Sequence, residues 1–248
     1  MEQKSKDTCS VIKTEQETYG ITSVLFEKPK EDKLSSWKPG QFASISVYRN
    51  GQWTKPHPFT ISCAPEEDKL RMTIKQKGEF TSKIPELSPG EKIKISGPYG
   101  NFCSDVEKQE NIVMIAGGVG ITPFLSVLRH FQAIKATNKV TLFWANRTLE
   151  DVFAQDELQN MQTELFLKVI YVLSREKEEN IPANQETGSE SFEKGHITRD
   201  IIEKYLPDFS AAFYLCGPPK MQDFVLNELQ ACGVDPESVQ KESFNFKG

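Results

Sequence analysis

No stretch of the 248-residue chain approaches the roughly 18 uninterrupted apolar residues that a membrane-spanning helix needs. Paired cysteines are lacking as well. Cys9, Cys63, Cys103, Cys216 and Cys232 are odd in number and widely spaced, and none forms C-x-x-C. That argues against a disulfide framework, a zinc site and a four-cysteine iron–sulfur cluster, and reduced, buried thiols are expected. A basic excess is missing: 30 Lys and Arg face 35 Asp and Glu, a net charge of −5. Nucleic acid is therefore not an expected partner. The start, Met1 to Ser10, has no apolar signal core, so a cytoplasmic setting is expected. With 38% hydrophobic residues the chain is too apolar for disorder, and its length allows one large domain or two small ones.

What is present changes character near residue 105. Before it, short segments alternate with period two. Ala43, Ile45 and Val47 alternate with Phe42, Ser44 and Ser46, and Leu70, Met72 and Ile74 with Arg71, Thr73 and Lys75. Such runs are half-buried strands, and Pro39-Gly40 and Pro89-Gly90 supply turns just ahead of two of them. Short, evenly spaced strands imply a small antiparallel barrel. One helix is expected from Thr81 to Leu87, with Thr81 as its N-cap.

After residue 105 apolar runs (111–116, 140–145, 165–173, 211–216) alternate with helical segments (122–131, 156–161, 198–205, 219–231). Strands alternating with helices form a parallel sheet, and continuously apolar strands imply cover on both faces. The polar stretch Arg175 to Gly195 is expected to be a mobile surface loop. Charge divides at the same place. Residues 1–104 carry 16 basic and 13 acidic side chains (+3), and residues 105–248 carry 14 and 22 (−8).

Four motifs carry chemistry. Gly117-Gly118-Val119-Gly120-Ile121-Thr122-Pro123 joins a strand to a helix, where glycines admit a close ligand and the helix start favours an anion. Pro123 stands where a dinucleotide fingerprint has its third glycine, and the next strand ends at Asn146-Arg147 with no acidic residue. An ordinary Rossmann dehydrogenase is thereby disfavoured. Cys216-Gly217-Pro218-Pro219-Lys220-Met221 follows another strand, which puts Cys216 at its carboxyl end. His57-Pro58-Phe59-Thr60 is an aromatic strand entered through proline. Gly78-Glu79-Phe80-Thr81-Ser82 sets a glycine and hydroxyls at a helix start, as either a phosphate site or a plain cap.

In this order, with Gly97-Pro98-Tyr99-Gly100 between them, the motifs resemble the ferredoxin–NADP reductase superfamily over nearly the whole chain. The resemblance implies an antiparallel Greek-key FAD-binding barrel over 1–104 and a parallel-sheet α/β NAD(P)-binding domain over 105–248. It implies that Phe59 packs on the flavin ring and that the Thr60 hydroxyl meets flavin N5. His57, beside Pro58, stands where most members carry a phosphate-binding arginine. Thr81 and Ser82, with Gly78, would hold the pyrophosphate, and Phe80 between them is also expected to bind the cofactor. Gly118, Gly120, Ile121, Thr122 and Pro123 would shape the nicotinamide nucleotide site, with Cys216, Gly217, Pro218 and Met221 beside the nicotinamide. Asn146, Arg147, Ser174 and Arg175 resemble the adenosine end of that site and leave NADH and NADPH both open. Glu242-Ser243-Phe244-Asn245-Phe246 resembles the C-terminal segment in which an aromatic, here Phe244 or Phe246, covers the flavin.

The implied activity is FAD-dependent: NAD(P)H is the hydride donor, and Thr60 and Cys216 are the catalytic candidates. Electrons would pass to an acceptor protein resembling flavodoxin or ferredoxin, or to a small molecule such as free flavin or a ferric chelate. The mildly basic first half favours a protein. The rival expectation is a non-turnover flavin- or nucleotide-binding subunit or sensor. His130 and His196 are expected to be structural, and no metal site is expected.

Overall fold

The structure, a computed structural model, describes residues 8–29, 33–184, 188 and 190–243. Within it the chain forms two compact units. Of the described residues, the first holds those up to Ser104 together with Thr122–Ala133, and the second holds Asp105–Ile121 and those from Ile134 to Ser243.

The first unit contains β1 (Thr8–Thr18), β2 (Ile21–Glu27), β3 (Phe42–Arg49), β4 (Gln52–Trp53), β5 (His57–Thr60), β6 (Lys69–Lys75), α1 (Glu79–Ser82) and β7 (Lys92–Tyr99). Its strands pair antiparallel in the order β4-β3-β7-β1-β2-β6, with β5 also on β3. Just past β5, the Ser62 N–H donates to the Arg71 carbonyl of β6 at 2.9 Å, which joins the two ends of that order into a barrel. The period-two residues fill it: Ala43, Ile45, Leu70, Met72 and Ile95 are buried. The turn glycines Gly40 (φ +88°) and Gly90 (φ +84°) adopt the left-handed conformation that other residues resist. β1 was not anticipated from the sequence.

The helix expected over 81–87 is instead α1 at Glu79–Ser82, followed by a 3-10 turn at Ile84–Glu86. Gly78 is the N-cap and Thr81 lies inside, reaching back to accept from the Lys77 and Gly78 N–H groups at 2.8 and 3.0 Å. Pro85 has no N–H with which to continue the helix.

The second unit contains β8 (Asn111–Gly117), β9 (Lys139–Asn146), α3 (Gln155–Gln162), β10 (Leu167–Leu173), β11 (Glu190–Lys194), α4 (Arg199–Tyr205), β12 (Ala212–Cys216), α5 (Pro219–Ala231) and β13 (Gln240–Glu242). Between β8 and β9 in the chain lies α2 (Thr122–Ile134), most of which groups with the barrel. The sheet is parallel throughout, ordered β11-β10-β9-β8-β12-β13. The region expected to be a loop, 175–195, therefore contains an edge strand, β11, whose Ser191 and Phe192 are buried while Lys194 faces out. Gln155 and Gln159 of α3 hold its Glu190 carboxylate at 3.1 and 2.9 Å.

Three side chains of α2 fasten it within the barrel unit. The Ser126 hydroxyl donates to the Cys63 carbonyl at 2.7 Å, the Arg129 guanidinium donates to the Ser62 carbonyl, and His130 Nδ1 lies 2.9 Å from the Glu66 carboxylate. Residues 126, 129 and 130 share one helix face, so a single polar stripe grips the backbone just beyond β5. No described helix is long and apolar enough to cross a membrane.

Candidate functional site

In the barrel unit the site candidates gather around β5 and α1. His57 and Phe59 point to one side of β5 and are half-buried, whereas Thr60 is buried. The His57 ring stacks on Phe80 of α1 at 3.9 Å between centroids, with 17° between planes. Phe59 lies 6.1 Å from Phe80 with 14° between planes. The three rings form a ledge of near-parallel, partly exposed aromatic faces, the surface against which a flat heteroaromatic stacks. Burial holds His57 below its ordinary value of 6.5, so its ring is neutral near pH 7.

Beside the ledge, Gly78 is extended and exposed, and a Cβ there would meet nothing within 4 Å. The hydroxyls expected to hold phosphate are engaged locally: Thr81 in the turn described above, and Ser82 donating to the Glu79 carbonyl at 3.0 Å. An aromatic ledge ending at an open glycine fits a flavin nucleotide such as FAD. On neighbouring strands the Phe42 and Tyr99 rings meet tilted at 5.7 Å, and Gln41 Nε2 donates to the Gly100 carbonyl at 3.0 Å.

In the second unit the site candidates gather at the carboxyl ends of β8 and β12. The crossovers run to opposite sides from β8, so this is the switch point at which open parallel sheets bind ligands. The glycines there have separate duties. A Cβ on Gly120 would lie 2.4 Å from the Cys216 carbonyl oxygen, and one on Gly117 2.3 Å from Met221 Sδ. Those two let the glycine loop and the Cys-Gly-Pro-Pro loop touch. Gly118 has φ +52° and open space around it, and Trp144 Nε1 donates to its carbonyl at 2.9 Å. It is the position at which a ligand can approach the backbone.

Cys216 is wholly buried, and burial, together with the Glu242 carboxylate, pushes its thiol well above the ordinary value of 9.0. The thiol is neutral, so Cys216 serves by shape rather than as a thiolate. Glu242, opposite Cys216 in the β12–β13 pairing, is itself raised by burial. The sequence marked it only as the start of an aromatic segment; its neighbour across the sheet is visible only in three dimensions.

At the end of β9, Asn146 is buried with Nδ2 lacking a hydrogen-bond partner among the described residues, a donor available to a ligand. Arg147 and Arg175 are exposed, and their backbones are joined by a 2.7 Å bond from Arg175 N–H to the Arg147 carbonyl. Ser174 donates to the Asn146 carbonyl. Ile121, Thr122 and Pro123 are buried at the junction of loop and α2, and Pro218 is exposed. Phe244 and Phe246 lie outside the described residues. Among the described residues no group of metal-ligating side chains occurs.

Residues 8–103 match an FAD-binding domain family and residues 114–227 the oxidoreductase NAD-binding domain family. The chain is 30% identical over 227 residues to the sulfhydrogenase 2 subunit gamma of Pyrococcus furiosus, covering 88% of this chain and 76% of that protein. It belongs to the ferredoxin–NADP reductase superfamily. Another superfamily relative, the flavohemoprotein of Bacillus subtilis, is 27% identical over 237 residues. That match takes in 94% of this chain but only 58% of the flavohemoprotein. Among solved structures, a ferredoxin NADP+ reductase from Neisseria gonorrhoeae with bound FAD and NADP aligns at a TM-score of 0.74 and 19% identity, covering 95% of this chain and 97% of that one. This last likeness speaks to the fold. Superfamily membership makes FAD and a nicotinamide nucleotide the cofactors of the two domains.

Proposed function

We propose that the chain is the flavin- and nucleotide-binding engine of an NAD(P)H-dependent reductase, with its flavin domain over 1–104 and its nucleotide domain over 105–248. Bound FAD would accept hydride from NAD(P)H and release electrons to an acceptor. The observation that carries this reading is the His57–Phe80–Phe59 ledge, lying within the segment that matches an FAD-binding domain.

The chain's own groups bind, align and exclude water. Phe59 would stack on the flavin ring, and the neighbouring Thr60, whose hydroxyl is buried, would hold the ring edge that receives hydride. His57 and the backbone at Gly78–Ser82 face the phosphates. Gly118 gives the nucleotide its close approach, and Asn146 supplies the unpaired donor. Cys216 offers a neutral, non-reactive wall, and Glu242 is a carboxylate able to hold a proton beside it. Arg147 and Arg175 face the adenosine end, where a 2′-phosphate would find two guanidinium groups.

The acceptor proposed first is a separate, acidic redox protein. The basic balance of residues 1–104 supports it, and so does the naming of one relative as the reductase component of a propane 2-monooxygenase. The test is to load the purified protein with FAD and add NADH or NADPH without oxygen. Bleaching of the flavin band by either nucleotide supports a reductase, and the faster donor gives the preference. A flavin-loaded protein that ignores both is a non-turnover module.

A further inference from the structure

We propose that Trp144 is a positioning residue that fixes the glycine loop at Gly118 in the conformation the nicotinamide nucleotide meets, and thereby sets the affinity for that nucleotide. The inference rests on the functional reading above, in which Gly118 is the point of closest approach.

Gly117-Gly118-Val119-Gly120 has three glycines in four residues, and a backbone with so few Cβ atoms does little to restrain itself. Two of the three are confined by packing. A Cβ on Gly117 would strike Met221, and one on Gly120 the Cys216 carbonyl. Gly118 has no such wall: its φ is +52°, and a Cβ there would meet nothing within 4 Å. Its carbonyl instead accepts from Trp144 Nε1 at 2.9 Å. The peptide unit is planar, so an indole that holds this carbonyl fixes the orientation of the whole 118–119 unit.

The indole can do this because it is itself held. Trp144 is wholly buried and belongs to one register row across the sheet: Phe192 of β11, Tyr171 of β10, Trp144 of β9, Ala116 of β8 and Cys216 of β12. Side chains in such a row share a face. Phe192 and Tyr171 stack at 5.0 Å with 16° between planes, Tyr171 tilts against Trp144 at 5.9 Å, and Phe153 meets Trp144 edge-on at 5.2 Å. The indole N–H is the one polar group on this side chain, and it is directed at the loop. Ala116, next in the row, is small, and Gly118 follows it by two positions. A loop already in its bound conformation loses less freedom when a ligand arrives. Trp144 lies buried beneath the loop, so its contribution is to binding rather than to the hydride step.

The test uses full-length, FAD-loaded protein. Trp144→Phe keeps an aromatic ring and loses the donor. Trp37→Phe is the matched control, because Trp37 is also buried but its indole N–H has no hydrogen-bond partner among the described residues. NAD⁺ and NADP⁺ affinities are measured by calorimetry, and the limiting rate of anaerobic flavin reduction at saturating NADH or NADPH separately. In Trp144→Phe the affinity should fall about three- to tenfold, the worth of one net hydrogen bond, with the limiting rate within about twofold of the parent. Trp37→Phe should match the parent in both. Affinity within twofold of the parent in Trp144→Phe would overturn the proposal. So would an equal loss in Trp37→Phe, which would make the effect a general loosening, and so would a limiting rate that fell as far as the affinity. A second measurement needs no change at Trp144. The indole N–H resonances of ¹⁵N-labelled protein are assigned by elimination with Trp37→Phe and Trp53→Phe. The Trp144 resonance should shift on titration with the nucleotide while that of Trp37 stays; an unmoved Trp144 resonance at saturation would overturn the proposal. If the parent bound neither nucleotide, this proposal and the functional reading would fall together. If it bound one with the expected Trp144 dependence while its flavin was never reduced, only the reductase reading would fall.

Discussion

At the residue scale, His57 has the most distinctive consequence. Imidazole stands where the superfamily resemblance implies a phosphate-binding arginine, and burial keeps it uncharged near neutrality. A bound phosphate favours the protonated ring, so FAD affinity should rise as pH falls below neutrality. The apoprotein has the opposite sign. A histidine whose folded value is depressed contributes stability that is fully present above its unfolded value and is lost as pH falls. Opposite slopes for FAD affinity and apoprotein melting temperature are thus expected, read by fluorescence titration and thermal unfolding. His57→Arg should tighten FAD about fivefold, the ~1 kcal/mol between a neutral and a charge-assisted hydrogen bond, and should flatten the pH dependence. An unchanged slope would remove His57 from the phosphate site. Phe59→Ala strips one face from the ledge and should lower flavin retention about tenfold or more, measured as flavin content after gel filtration. Retention equal to the parent would place the ring elsewhere.

At the element scale, the strand-end loops make an unusual demand on glycine. Gly120→Ala puts a Cβ 2.4 Å from the Cys216 carbonyl, a backbone atom that cannot swing aside, and should cost several kcal/mol of stability, on the order of a severe overpacking. Gly118→Ala meets no atom and bears only the left-handed backbone, about 1–2 kcal/mol. Denaturant unfolding of the two variants should therefore rank them in that order; equal losses would contradict the separate duties assigned to them. Both glycines read alike in the sequence, because what separates them is contact with a loop nearly one hundred residues away. α5, by contrast, was legible to its ends: Pro219 opens it, and Gly233, at φ +87°, follows its close. β1 and β11 were not legible. β1 is mostly half-buried from Ile12 onward, and β11 carries three charged residues in five. Edge and half-exposed strands lack the alternation on which the reading depends. Likewise, the grip of Ser126, Arg129 and His130 on the turn after β5 leaves no pattern in the sequence, since its partners are main-chain carbonyls and a distant glutamate. Ser126→Ala, which orphans no buried donor but removes one bond to Cys63, should destabilise the barrel unit by about 1 kcal/mol.

At the scale of the whole molecule, a net charge of −5 conceals a first segment of +3 and a second of −8. If the acceptor is an acidic protein met by the basic segment, reduction of that acceptor should slow as ionic strength rises, while reduction of a neutral small acceptor should not. Salt-independent rates with the protein acceptor would argue for a small-molecule acceptor. The order of motifs was legible at this scale, because each is local and the chain carries them in sequence. Which residues press the two strand-end loops together was not.

The most direct test of the central claim is a single turnover. FAD-loaded protein is mixed anaerobically, without any acceptor, with NADH or NADPH carrying deuterium or hydrogen at nicotinamide C4. The account predicts that the flavin band bleaches with at least one of the two nucleotides and that deuterium slows the bleaching, as expected when hydride leaves C4 for a flavin held, as proposed, by Phe59 and Thr60. A flavin band that persists with both nucleotides would contradict it.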